Sequence, residues 1–297
     1  MWIRQNAETA APAPPCADEL RLRGWVERLA RPRHFWAEAS VNRAVGDEIA
    51  EELARLGYDV TLAGRYRNVV ALPRRRAAGP LTLLCAHYDS VPDCPGADDN
   101  ASGVAVLLAC ARTLAAAWPA PAVGFVAFNA EEDGLLGSRD FVAHGLAALH
   151  LAVGGVHVLE MCGFRARGDG SQRSPLPFSL PGLSRGTFIA VVGQGASNRA
   201  ANAAIGARLP ASPHRVAVST WPGLHRTLPD LARSDHAPFW DARVPAVLWT
   251  DTGNFRNPHY HRASDTPDTL DYAFMNGVRE MVSHALGAPR GDAARST

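Results

Sequence analysis

The spacing of apolar positions changes period repeatedly along this chain. From Val41 to Leu56 they recur at helical spacing and stop at Gly57, which predicts a long helix closed by a glycine. Apolar runs at Asn68–Leu72, Leu81–Ala86, Val123–Ala130, Val156–Met161, Thr187–Val192 and Val244–Thr250 read as strands. Helical periodicity separates them at Gly103–Ala117, Ser138–His144, Ser197–Leu209 and Tyr272–Leu286. Apolar strands alternating with helices predict a mixed, mostly parallel central sheet covered on both faces, an α/β sandwich of three αβα layers. Chemistry in such sheets gathers beyond the carboxyl ends of the strands, so the residues that follow each strand carry the functional question.

At 297 residues the chain is longer than an ordinary domain, but α/β folds of this size often form one. Residues 1–17 are rich in Pro and Ala and read as disordered, residues 288–297 read as a flexible tail, and 18–287 form the folded domain. With 47% apolar and 20% charged residues, intrinsic disorder of the whole is excluded. Thirty basic residues balance twenty-nine acidic ones, and the only basic concentration, Arg74–Arg76 beside Pro73, reads as a loop, so nucleic acid is not an expected partner. The longest nearly apolar stretch, Leu146–Leu159, contains His150 and His157 and falls short of the roughly 20 residues of a membrane span. The first fifteen residues hold no apolar signal-peptide core, and Cys16, Cys85, Cys94, Cys110 and Cys162 form an odd, scattered set. Free thiols in a reducing compartment are therefore expected, and a cytoplasmic location with them.

Polar residues cluster where the strands end. After Leu81–Ala86 comes His87-Tyr88-Asp89, whose two polar side chains share one face of an extended segment. A lone histidine is more often a hydrogen-bonded structural residue; the functional alternative is a metal ligand whose tautomer Asp89 fixes. Gly96-Ala97-Asp98-Asp99-Asn100-Ala101-Ser102-Gly103 precedes a helix and could be a turn capped by Asn100 or Ser102. A calcium loop is rejected because its twelfth position would be Ala109 rather than glutamate. Adjacent carboxylates at a sheet mouth repel each other unless a cation or proton sits there, which favours a metal.

After Val123–Ala130 comes Glu131-Glu132-Asp133-Gly134-Leu135-Leu136-Gly137-Ser138. Acidic runs usually mark a solvated face, but this one caps an apolar strand, where one glutamate can bind metal while its neighbour handles protons. Glu160 ends another strand, and Asn257-Pro258-His259-Tyr260-His261 lies beyond Val244–Thr250. Five strand ends thus deliver His, Asp or Glu. Neither H-E-x-x-H nor G-x-S-x-G occurs. Gly193-Gln194-Gly195 has Asn198 where a dinucleotide fingerprint requires glycine.

The ordered set H-x-D, G-A-D-D-N-A-S-G, E-E-x-G-L-x-G-S and Y-H-x-x-x-D-T resembles the zinc exopeptidases of the bacterial leucyl aminopeptidase and glutamate carboxypeptidase group, over roughly Val41–Leu286. The resemblance implies a zinc-exopeptidase sandwich holding two Zn2+ ions. It makes Asp99 the carboxylate bridging both, with His87 and Glu160 on one ion and Glu132 and His261 on the other. It places Glu131 as general base and Tyr260 as the donor to the oxyanion, and puts a cis peptide between Asp99 and Asn100. Glu160 departs from the family's usual aspartate, which weakens the expectation for the ion it holds. Arg233-Ser234-Asp235-His236-Ala237-Pro238-Phe239 also looks like a family loop, in a supporting role. Three carboxylates and two imidazoles suit zinc, with manganese or cobalt as other fits. The implied activity is aminopeptidase hydrolysis of short peptides or amino-acid amides. A glutaminyl cyclase of the same fold, which usually has threonine where this chain has Asp98, and a non-catalytic binding module are the alternatives.

Overall fold

The first two strands in sequence lie at one edge of the sheet, and the last strand lies in its interior. The computed structural model describes residues 14–75, 79–117, 122–174, 183–197 and 213–287. In chain order its elements are α1 (Ala17–Leu29), α2 (Ala39–Arg55), β1 (Tyr58–Ala63), β2 (Asn68–Pro73), β3 (Leu81–His87), α3 (Gly103–Ala115), β4 (Val123–Phe128), α4 (Leu136–Asp140), α5 (Leu146–Ala148), β5 (Val153–Glu160), β6 (Phe188–Gln194), β7 (His214–Thr220), α6 (His236–Asp241), β8 (Ala246–Thr250) and α7 (Tyr272–Ala285), with short single turns between them. The strands lie in the order β1-β2-β4-β3-β5-β8-β6-β7. The central four, β4-β3-β5-β8, pair parallel, while β1–β2, β2–β4 and β6–β8 pair antiparallel. This is the mixed, mostly parallel sheet that the alternation of patterns predicts.

Two apolar layers sandwich it. On one face α1, α2, α3 and α7 pack against Val69, Leu84, Phe125, Leu159, Val191 and Trp249; on the other, Phe141 and α6 pack against Val70, Leu83, Cys85, Phe128 and Val158. Neighbouring residues of one strand fall into opposite layers, as alternation along a strand requires. The fully apolar β4, buried at every position, has both faces covered.

Several elements lie outside the predicted set. Helix α1 is amphipathic, burying Leu22, Val26 and Leu29 at helical spacing. Edge strand β1 buries only its ends, Tyr58 and Ala63. Strand β7 and the short α6 likewise have no counterpart in the predicted set. The helix expected at Ser138–His144 starts at Leu136 and widens across Phe141–Gly145 before α5. The helix expected at Ser197–Leu209 lies, after Ser197, outside the described residues, as do residues 1–13 and 288–297 of the two termini. Gly57 follows α2 with φ of 95°, the left-handed conformation that ends a helix. Among the described residues no helix is long and apolar enough to cross a membrane.

Candidate metal centre

The crossover geometry puts the site at one place. From β3 the chain crosses through α3 to β4 on one side, and from β4 it returns past β3 to β5 on the other. Such a reversal opens a crevice at the carboxyl end of the central strand, and His87 is the last residue of β3. Glu160 ends the adjacent β5, Glu131 and Glu132 follow β4, and Tyr260 and His261 lie in the connection from β8 to α7.

Asp99 is the hinge of the constellation. Its Oδ1 lies 3.2 Å from His87 Nε2, and its Oδ2 lies 3.1 Å from His261 Nε2. Both Glu160 carboxylate oxygens stand 3.4 Å from the same His87 nitrogen, while Glu132 Oε2 stands 3.3 Å from His261 Nε2. Ligand atoms of His87, Asp99 and Glu160 lie within 4.8 Å of one another, and so do those of Asp99, Glu132 and His261. Two ligand triads therefore share one carboxylate, one oxygen to each side. The structure brings together every residue that the resemblance makes a ligand. Glu160 reaches the cluster despite its extra methylene and is held there by Ser234, whose hydroxyl donates to Oε2 at 2.7 Å. That gives the Arg233–Phe239 loop a concrete contact with the site.

Asp89 couples the two strand ends. Its Oδ1 accepts from the Glu131 backbone N–H and its Oδ2 from that of Glu132, both at 3.1 Å, and Oδ1 lies 3.4 Å from His87 Nδ1. Nε2 is thus the nitrogen left facing Asp99. Glu131 approaches the same nitrogen at 3.9 Å; it is in neither triad that shares Asp99, but with His87 and Glu132 it forms a third close group of possible ligand atoms. Tyr260 stacks on the His261 ring with centroids 3.8 Å apart, and its hydroxyl oxygen accepts from Arg233 at 3.0 Å.

The rest of the motif around Asp99 fastens it. Asp98 turns away from the ligands and accepts from the Gly163 N–H at 2.9 Å and from Asn257 Nδ2 at 2.7 Å. Asn100 accepts from the Gly103 and Met161 N–H groups, both at 3.1 Å, and donates to Leu159 O at 2.9 Å. A Cβ on Gly103 would lie 2.2 Å from the Asn100 side-chain oxygen, so only glycine starts α3 beside this turn. The Asp99–Asn100 peptide is cis. Asp265, the acidic residue of Y-H-x-x-x-D-T, accepts from the N–H of Asp98 at 2.9 Å and of Asp99 at 3.1 Å. Gly137, in the acidic motif, lets the chain pass where a Cβ would lie 2.1 Å from Asn129 O.

The electrostatics call for cations. Burial pushes Glu132 up to about 7, and burial likewise pushes Glu131 well above the ordinary carboxylate range, with His87 pulling it back. Burial opposes ionisation of Asp99 too, but hydrogen bonds from His261 and His87 hold it below its usual value. Burial disfavours charge on His261, yet Asp99 and Glu132 raise it to about 10. Burial acts the same way on His87, and Glu160 and Glu131 overcome it. A set of carboxylates that drives two imidazoles to hold protons is one in which divalent ions can take those protons' place. Glu132 Oε1 is buried with no hydrogen-bond partner, a donor atom left for such an ion. Oxygen and imidazole donors in this mixture fit zinc.

A cavity of about 420 Å³ opens beside Glu160 and Tyr260, walled by Phe188, Val216, Leu248 and other apolar residues of the β6-β7-β8 end of the sheet. Arg233 and Asn254 stand among its polar lining residues.

Residues 68–286 match peptidase family M28. The chain therefore belongs to that family, the co-catalytic zinc exopeptidases and aminopeptidases that the order of motifs resembles. It is 34% identical to the uncharacterized protein YfbL of Escherichia coli, across 95% of this chain and 90% of that one. Of solved structures, BSAP, a zinc aminopeptidase from Bacillus subtilis, is 27% identical with a TM-score of 0.52, over 74% of this chain and 48% of that one. Porphyromonas gingivalis glutaminyl cyclase superposes with a TM-score of 0.63 over 90% of this chain and 97% of its own; at 20% identity the likeness is one of fold alone.

Proposed function

We propose that this protein is a two-zinc aminopeptidase that removes N-terminal residues from short peptides, with Glu131 as general base. The observation that carries the reading is the split of Asp99, with one carboxylate oxygen toward His87 and the other toward His261. Likeness to a Bacillus subtilis zinc aminopeptidase supports both the metal and the direction of attack. His87 and Glu160 would hold one ion, Glu132 and His261 the other, and Asp99 both. The chemistry such a pair supplies is Lewis acidity, which polarises a carbonyl and makes a water acidic near neutral pH.

The remaining work falls to the chain. Glu131 lies beside the ligands and outside both triads that share Asp99, and in this reading its carboxylate takes a proton from the attacking water and returns it to the departing amine. Burial, which raises its affinity for a proton, suits that task. Asp89, accepting from the N–H groups of both glutamates, fixes which carboxylate points where. Tyr260 is kept protonated chiefly by burial, and because its oxygen already accepts from Arg233, its own proton is available to an oxyanion. Asp98, wholly buried between Gly163 and Asn257, stands where a glutaminyl cyclase usually has threonine and weighs for the peptidase.

The test is a pair of substitutions with metal content and turnover of an amino-acid amide measured together. Glu131→Gln is expected to keep its zinc and lose about a hundredfold or more in turnover, while Glu132→Gln loses zinc. Equal loss of metal in both would show that the roles are assigned wrongly.

A further inference from the structure

Residues 14–67 lie outside the span that matches the peptidase family, yet two of their polar side chains are as buried as the centre of the sheet: Arg33 and Asn42, each 1% exposed. Burying a guanidinium is costly unless its donors are satisfied, and no carboxylate forms an ion pair with this one among the described residues. Its donors go to backbone carbonyls instead. Nε donates to Tyr88 O at 2.6 Å, Nη1 to Pro95 O and, at 3.2 Å, to Arg31 O, and Nη2 to Gly96 O at 2.9 Å. The Arg33 N–H donates to Ser90 Oγ at 3.1 Å, and that hydroxyl donates to Cys94 O at 3.0 Å. One side chain thereby ties together both ends of the loop joining His87-x-Asp89 to the Asp98-Asp99 turn.

Asn42 extends the tie to the third ligand-bearing turn. Its Nδ2 donates to Arg33 O at 2.8 Å, and its side chain exchanges hydrogen bonds of 2.8 and 2.9 Å with Asn129, two residues before Glu131. Asn129 also donates to the Tyr88 hydroxyl at 2.6 Å and accepts from the Ala130 N–H at 3.0 Å.

We propose that Arg33, braced by Asn42, is a positioning residue for the metal centre: its planar fork sets the separation of the turns that carry His87, Asp99 and the Glu131-Glu132 pair. The inference rests on the reading of those residues as a zinc site. Lysine cannot replace the fork, because a single ammonium cannot present donors in several fixed directions at once. Groups that orient metal ligands typically change affinity by about 10- to 100-fold when removed.

Zinc alone is the probe, titrated into chelator-stripped protein in competition with a chromophoric chelator, with the melting temperature of the zinc-free protein recorded alongside. Arg33→Met is expected to weaken zinc binding by about 10- to 100-fold, and Arg33→Lys to remain at least about tenfold weaker than wild type. Asn42→Ala and Ser90→Ala, which remove the hydrogen bonds that brace Arg33 and leave the buried charge in place, are expected to lose about tenfold, and they answer the question if the Arg33 variants do not fold. Wild-type zinc affinity in the lysine variant, or in both bracing variants with only the melting temperature lowered, overturns the clamp and leaves these residues as ordinary structural supports. A wild-type protein that takes up no zinc overturns the metal reading, and the clamp with it.

Discussion

His87 and His261 flank the same carboxylate at nearly the same distance, but they belong to different kinds of structure. His87 ends a central strand, its side chain is 1% exposed, and its neighbour Glu160 ends the adjacent strand. His261 sits in a connection between β8 and α7, with positive φ of 57° and a side chain 35% exposed. The inner half of the centre is held by sheet hydrogen bonds and the layers above and below. The outer half depends on Asp99, Glu132 and the stack of Tyr260 on the His261 ring. Equal ligand distances can thus hide unequal supports, and access of water should separate the halves more than geometry does.

The largest effect that this comparison predicts is at the residue common to both halves. Asp99→Asn removes one of the two anionic oxygens and is expected to abolish binding of both ions and bring turnover to background; elemental analysis after dialysis checks it. Retention of the inner ion alone would mean that Asp99 serves only the His261 side. Next in size is Tyr260→Phe, which keeps the ring on His261 and deletes only the hydroxyl. A single oxyanion donor is typically worth about a hundredfold to a thousandfold in rate, and the contact strengthens only as charge develops. Turnover should therefore fall more than KM rises, with both ions in place. Wild-type turnover in this variant would reduce Tyr260 to a packing partner of the outer histidine. The smallest effect is a difference between the halves themselves. Stepwise titration with a chelator is expected to remove the outer ion first, at about tenfold lower chelator concentration, because the exposed His261 ring rejoins water at little cost whereas the buried His87 ring must be left unpaired. Simultaneous release would erase the distinction.

The inner half is also the half that sequence reads best. His87 and Glu160 sit at the ends of apolar strands that announce themselves, so their meeting follows once the sheet is parallel. Asp98, Asn100 and Ser102 are visible in the motif around Asp99, but as a string of polar residues they fit a helix cap as well as a ligand turn. Their use as fasteners depends on Gly163 for Asp98, Met161 and Leu159 for Asn100, and the Cys162 N–H for Ser102, all more than fifty residues away. The Ser234 contact that holds Glu160 is of the same kind: the segment around it resembles a family loop, but nothing local says that its hydroxyl meets Glu160, seventy-four residues earlier.

Arg33 and Asn42 show the limit most plainly. Arg33 falls between α1 and α2 with no motif, and nothing nearby in sequence distinguishes it from the arginines around it; Asn42 lies in the first turn of α2, one polar residue among several there. Edge strand β1 leaves no signature in the sequence for a related reason: with only Tyr58 and Ala63 buried, it lacks the apolar run that marks a covered strand.

What the sequence determined alone is the alternation of strands and helices and the list of residues that could bind metal or move protons, because periodicity and chemical type are local properties of the chain. Tertiary structure decided which oxygen of Asp99 faces which histidine, which glutamate stays out of the two triads that share Asp99, and what binds the turns together. Those outcomes rest on hydrogen bonds between residues far apart in the chain, whose partners become neighbours only after the strands have taken their order in the sheet.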